Sequence, residues 1–206
     1  MTLKTIIFDF DGVLVDTFDF CYAINKRRDP SLTEEGYKEL FNGNINDCLK
    51  TAKKTVEDPS KPKIDFFSLY TPELLKKEMR KDIQKLIRQL AERFPLYIVS
   101  STNSEPIKQF LTQNDSLSAF TAVYGNDVEK SKVKKLSMIL EKTKLAPSEC
   151  VMITDTLGDI VEARKVGISC IAVSWGYHGE ESLARGEPAA IVHSVDELTS
   201  VIANLR

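Results

Sequence analysis

The sequence predicts an α/β fold: a three-layer core built on a parallel sheet, with a small α-helical insert after the first strand. Three observations carry this expectation. An apolar run near the start of the chain ends in acid, at Ile6-Ile7-Phe8-Asp9-Phe10-Asp11-Gly12. From Leu96 onward, short apolar, partly β-branched runs alternate with segments of helical period. Between the two, residues 17 to 70 are polar and lysine-rich and lack such runs.

A chain of 206 residues suffices for one large domain, or one domain with a smaller insert. Its formal charge of -2 argues against a dedicated nucleic-acid binder, whose footprint would be net basic. The four cysteines, Cys21, Cys48, Cys150 and Cys170, form no CxxC and no paired Cys/His spacing. Neither a zinc site nor a disulfide framework is expected of them. Residues 1 to 8 are too short and too soon interrupted by acid to be expected as a signal peptide. No apolar stretch approaches the roughly 20 residues that span a bilayer. The expectation is a soluble, cytoplasmic protein with no nucleic-acid or membrane partner.

Ile6 to Phe8 is apolar on both faces, as a buried parallel strand must be. Past Asp16 the pattern turns helical. Phe18, Cys21 and Tyr22 share one helical face, and a second short helix is expected over Leu32 to Phe41, capped by Ser31 or Thr33. Asn42-Gly43-Asn44 reads as a structural turn. A third helix is expected over Ile45 to Val56, ending before Asp58-Pro59-Ser60-Lys61-Pro62, and a fourth over Ile64 to Tyr70. These make residues 17-70 a helical cap insert, with residues 1-16 and 71-206 as the core domain. Thr71-Pro72-Glu73 looks like a helix start, with Leu75, Met79, Ile83, Leu86 and Leu90 on one face up to Phe94. Strands are expected at Leu96 to Ser100, Ala122 to Tyr124, Cys150 to Thr154, Ser169 to Val173 and Ala190 to Val192, separated by helices. Such alternation implies right-handed crossovers, and ligands then bind at the carboxyl ends of the strands.

The polar residues that follow the apolar runs therefore converge. They are Asp9 and Asp11 after the first strand, Ser100, Ser101, Thr102 and Asn103 after the second, and Asp155 with Asp159 after the fourth. Glu129-Lys130-Ser131-Lys132 opens a helix beside them. Two carboxylates at the tip of a buried strand are costly unless a cation or a reaction needs them. Oxygen-only donors suit a hard cation such as Mg2+. The metal and a lysine would neutralise a phosphate, and a hydroxyl with free N–H groups would hold it. One carboxylate can then attack phosphorus and another protonate the leaving oxygen. The chemistry this suits is phosphoryl transfer.

The same residues resemble the haloacid dehalogenase superfamily, in its phosphatase and phosphomutase branch. Asp9-Phe10-Asp11-Gly12-Val13-Leu14-Val15-Asp16-Thr17 is similar to the first motif, and Ser100 to the second. Lys132 resembles the third motif, and Asp155 with Asp159 the fourth. Trp175-Gly176-Tyr177 and Glu180 to Leu183 resemble the phosphoglycolate-phosphatase-like members, so the resemblance implies a Rossmann-like core. It also implies roles. Asp9 would be nucleophile and Mg2+ ligand, forming an aspartyl-phosphate. Asp11 would be the general acid/base and bind the metal through its backbone carbonyl. Ser100 and Ser101 would hold phosphate, and Lys132 would neutralise it, with Lys130 and Lys134 as alternatives. Asp155 would bind Mg2+ directly and Asp159 would support it through water. Dehalogenases of this superfamily lack the second acid, so Asp11 disfavours dehalogenation. Thr154 departs from the glycine usual in the fourth motif.

The expected activity is hydrolysis of a small phosphate monoester. The rivals are a phosphomutase and a regulatory or binding member of weak turnover. His178 is read as a surface-loop histidine and Trp175 as packing near the site entrance. Substrate identity and oligomeric state are not legible.

Overall fold

The computed structural model describes residues 2–46, 48 and 65–205. Six strands form one parallel sheet: β1 Thr5–Phe8, β2 Leu96–Val99, β3 Ala122–Tyr124, β4 Cys150–Thr154, β5 Ser169–Val173 and β6 Ala190–Val192. Their spatial order is β3-β2-β1-β4-β5-β6. The order reverses at β1, whose Ile7 pairs with Tyr97 on one side and Met152 on the other. That is where a doubly wound sheet opens its binding crevice.

Residues alternate between two packed faces, which is why the central strands are apolar throughout. Ile6, Phe8, Ile98 and Ile153 face one cluster, shared with α4 Lys81–Ala91, α5 Ser104–Gln113 and α9 Val195–Asn204. Ile7, Val99, Met152 and Ala172 face the other, shared with α6 Lys132–Thr143, α7 Leu157–Arg164 and α8 Glu180–Ala184. The expected α/β fold with a three-layer, Rossmann-like core is the one adopted.

Between β1 and α4 lie α1 Phe18–Arg28, α2 Glu34–Glu39 and α3 Phe66–Leu74. Thr33 caps α2, its hydroxyl accepting from the Gly36 N–H at 3.0 Å. The helix expected over Ile45 to Val56 lies mostly outside the described residues, although Ile45, Asn46 and Cys48 are helical. No helix among the described residues is long and apolar enough to cross a membrane.

One expectation is corrected. Residues 71 to 94 do not form a single helix. Pro72 sits in the last turn of α3, and the next helix starts only at Lys81. The apolar spacing runs across the break because tertiary partners take over from helical ones. The Asn114 side chain accepts from the Met79 N–H at 2.9 Å, and Gln113 donates to the Leu75 carbonyl at 3.1 Å. Met79 is still buried, so it keeps its place in the hydrophobic pattern without belonging to a helix.

Ile87 on α4 is fully buried against the sheet. Ile87→Ala is expected to lower unfolding stability by roughly 2–5 kcal/mol through lost burial and the cavity left behind. Urea denaturation would measure this as a lower midpoint at unchanged slope.

Candidate active site

The first acid stands one residue past the end of β1. The Asp9 N–H still donates to the Ile153 carbonyl of β4 at 2.9 Å, so its backbone is fixed by the sheet. One carboxylate oxygen accepts from the Phe10 N–H at 2.8 Å and the other meets the Lys132 ammonium at 2.9 Å. Phe10 turns the other way, into the core, edge-on to Phe110 at 5.5 Å between ring centres. Asp9 and Asp11 thus flank a buried anchor and line the same cavity.

Asp11 is held by hydroxyls from three separate elements. Thr17, at the start of α1, donates to Oδ1 at 2.9 Å, and Tyr70 of α3 donates to the same oxygen at 2.6 Å. Thr102, after β2, donates to Oδ2 at 2.8 Å. Asp9 therefore faces a cation and Asp11 faces neutral donors.

Lys132 is the first residue of α6, after the Ser131 cap. Its buried ammonium lies 2.5 Å from Asp159 and 2.9 Å from Asp9. Burial alone would lower its pKa, but the two carboxylates hold it above the usual lysine range. Lys130 and Lys134 are exposed, and Lys134 reaches Glu129 at 3.5 Å instead.

Asp159 is buried on α7. Burial pushes its pKa up, but Lys132 and a 2.8 Å bond from the Thr154 hydroxyl overcome this and hold it below the ordinary value. Thr154 thus has a use in the place where glycine was expected. Asp9, with less compensation, is raised well above the ordinary carboxylate, mainly by burial.

Asp155 follows β4 and is fully buried. Oδ2 accepts from the Tyr177 N–H at 2.7 Å, while Oδ1 is buried with no partner among the described residues. Burial lifts its pKa to about 7. Two glycines press on this carboxylate. A Cβ on Gly12 or on Gly176 would overlap it. Gly12 also needs its φ of 76° for the turn after Asp11.

Ser100 is buried, its hydroxyl accepting from the Thr102 N–H at 2.9 Å, and Ser101 lines the cavity beside it. Phe41, Gly43 and Ile45 close the cavity from the segment after α2, leaving about 40 Å³ open to the centre of a water molecule. That holds a few waters and is far below the few hundred Å³ of a typical metabolite site. Asn42-Gly43-Asn44 is therefore more than a turn: Gly43 lines the cavity and Asn44 donates to Glu162 of α7 at 2.9 Å.

Several residues escaped sequence reading. His178 is not on the surface but buried. Its Nδ1 accepts from the Leu157 N–H at 3.0 Å and its Nε2–H donates to the Lys38 carbonyl at 2.9 Å, joining α7 to α2. Lys135 is fully buried, one helical turn beyond Lys132, and donates to the Ser100 carbonyl at 2.5 Å. The signal for it was its position on the apolar face of α6, with Leu136 and Ile139. Trp175 packs as expected, half-buried, its indole N–H donating to the Val13 carbonyl at 3.3 Å.

The fold and the site define an α/β enzyme whose strand tips gather buried carboxylates around one lysine. A family model described as haloacid dehalogenase-like hydrolase matches residues 6–173, and the chain belongs to that family. It is 25% identical over 209 residues to a phosphoglycolate phosphatase of Synechococcus elongatus, covering 98% of this chain and 99% of that protein. It is 25% identical over 211 residues to the pyrophosphatase PpaX of Anoxybacillus flavithermus, covering 98% of each. Among solved structures, CbbY of Rhodobacter sphaeroides in complex with phosphate matches with a TM-score of 0.75 at 17% identity, covering 96% of each chain. That last likeness is one of fold.

Lys135 has no carboxylate partner among the described residues, and burial pulls its pKa down to about 8. A lysine with a depressed folded-state pKa costs stability while both states are charged, below pH 8. The cost fades between pH 8 and the unfolded value near 10.5. Lys135→Met is expected to unfold about 6–12 °C higher at pH 7, from relief of ~3 kcal/mol. The gain should shrink toward pH 10, as thermal melts at the two pH values would show.

Proposed function

We propose that this chain is a Mg2+-dependent phosphatase that hydrolyses a small phosphate monoester through an aspartyl-phosphate on Asp9. The observation that carries the reading is the divided environment of two acids in one cavity. Asp9 is paired with Lys132, and Asp11 is caged by three neutral hydroxyls. The phosphatase names of the relatives support the reaction class.

An Asp9 oxygen attacks phosphorus as the bond to the leaving oxygen breaks. Asp11 gives its proton to that oxygen, and the alcohol departs. Asp11, now a carboxylate, takes a proton from water as the water attacks the aspartyl-phosphate. Phosphate leaves, and both acids return to their starting states. Lys132 keeps Asp9 oriented and offsets the phosphoryl charge. Ser100 and Ser101 supply the hydroxyl and N–H that hold the phosphoryl oxygens. Lys135 fixes the Ser100 carbonyl from below.

The residues fit a hard divalent cation. Among the described residues Asp155 Oδ1 is a buried carboxylate oxygen with no partner, the kind of donor a hard cation takes. Asp9 and Asp155 would hold the metal through their carboxylates and Asp11 through its backbone carbonyl, with Asp159 assisting through water. Such a set contains only two ligating side chains. Among the described residues no three His, Cys, Asp or Glu side chains stand together in metal-binding geometry. When bound, Mg2+ would neutralise the phosphate and so lower the repulsion between two anions.

Residues 17-70 are read as a cap on a core of 1-16 and 71-206. Thr17 and Tyr70 bond to Asp11 from the two ends of this insert, and Phe41, Gly43 and Ile45 line the cavity from its middle. The cavity is too small for an ester with its leaving group, so the 41–45 segment must move for substrate to enter.

Asp9→Asn is expected to reduce turnover of p-nitrophenyl phosphate at least about 1,000-fold without unfolding the chain. Undiminished turnover would remove the covalent mechanism. Chelation with EDTA is expected to abolish phosphate release, and excess Mg2+ to restore it. Full activity in the chelator would remove the metal.

A further inference from the structure

Glu162 lies on α7, three residues after Asp159 and on the same side of the helix. It is 5% exposed, yet it lines the catalytic cavity. One carboxylate oxygen accepts from Asn44 at 2.9 Å. No described residue donates to the other. The carboxylate borders the substrate cavity, where a donor on the substrate can reach it.

The described cations nearby are committed. Lys132 is spent on Asp9 and Asp159, and Lys135 donates to the Ser100 carbonyl. The described walls of the cavity carry Asp9, Asp11, Asp159 and Glu162 as acids, with Lys132 as the cation. The phosphoryl group already claims that lysine. A leaving group with its own negative charge would then face Glu162 in a poorly hydrated space, where Lys132 and the cation of the phosphatase reading already serve the phosphoryl group.

We propose that Glu162 is a specificity-determining residue. Its carboxylate accepts a hydrogen bond from a hydroxyl or ammonium on the leaving group, and its charge rejects leaving groups that are themselves anionic. The substrates are then phosphate monoesters of polyols or amino alcohols. Phosphoglycolate and pyrophosphate, which name the relatives, are poor substrates here. This inference rests on the phosphatase reading above.

The test compares kcat/KM for phosphate release, with Mg2+, from glycerol 3-phosphate, phosphoethanolamine, phosphoglycolate and pyrophosphate. p-Nitrophenyl phosphate serves as the common reference. The wild-type chain is expected to favour the first two over the last two by about tenfold or more. Glu162→Gln keeps an acceptor for Asn44 but drops the charge, and it should narrow that preference about tenfold, chiefly through KM for phosphoglycolate. Asn44→Ala keeps the charge but drops the bond, and it should leave the preference in place.

A wild-type preference for phosphoglycolate or pyrophosphate overturns the inference, even if Glu162→Gln does not fold. An unchanged ratio in Glu162→Gln also overturns it, as does an equal shift in Asn44→Ala. In each of these cases p-nitrophenyl phosphate is still turned over and the phosphatase reading stands. Failure to release phosphate from any ester, p-nitrophenyl phosphate included, removes that reading and this inference with it.

Discussion

The Lys132 ammonium is the charge on which the site depends. It stands between Asp9 and Asp159, all three nearly shut off from water. Without it, two carboxylates would share a low-dielectric space with Asp155 close by, and at least one would have to take up a proton. The lysine could not stay charged there alone either. Lys132 and Asp159 hold each other in the charged form, which is why burial fails to neutralise them, whereas Asp9, even beside the lysine, is raised well above the ordinary carboxylate by burial and by its acid neighbours. Asp155 lacks such a partner, and its pKa lifts to about 7.

This arrangement explains why the fold must be parallel and doubly wound. Asp9 extends from β1, Asp155 follows β4, and Lys132 opens a helix that packs on one face of the sheet. Only neighbouring parallel strands bring β1 and β4 side by side with their carboxyl ends together, as the pairing of Phe8 with Ile153 does. The side chains that alternate with the acids hold the backbone still. Phe8 and Phe10 are both fixed edge-on to phenylalanines of the core, Phe120 and Phe110.

Much of this was legible in the sequence because strands buried on both faces leave continuous apolar runs, and polar residues at their ends stand out. Asp9, Asp11, Ser100 and Asp155 were visible for that reason. What escaped was set by contacts distant in sequence. The break between α3 and α4 depends on Asn114 and Gln113, some 35 residues away for Asn114 and Met79. His178 reads as a loop residue, yet its ring is buried by the Leu157 N–H on one side and the Lys38 carbonyl on the other. Lys135 and Glu162 look like solvated helix charges until the helices are packed. Local patterns cannot tell a buried charge from an exposed one when both fit the helical period. Such departures from local rules tend to gather at functional sites.

The glycines around Asp155 carry a consequence for how this chain can diverge. Gly12 is fixed twice, by its positive φ and by the carboxylate beside it. Gly176 is fixed once, because among its crowding neighbours the closest atoms all belong to Asp155. The residue permitted at position 176 is thus conditional on the residue at position 155. Shortening the acid is not enough, because the Cβ of residue 155 would itself lie 2.4 Å from a Cβ at 176. Only a glycine at 155 would open position 176 to alanine. The two positions form an epistatic pair in which a lineage could lose the glycine at 176 only after gaining one at 155.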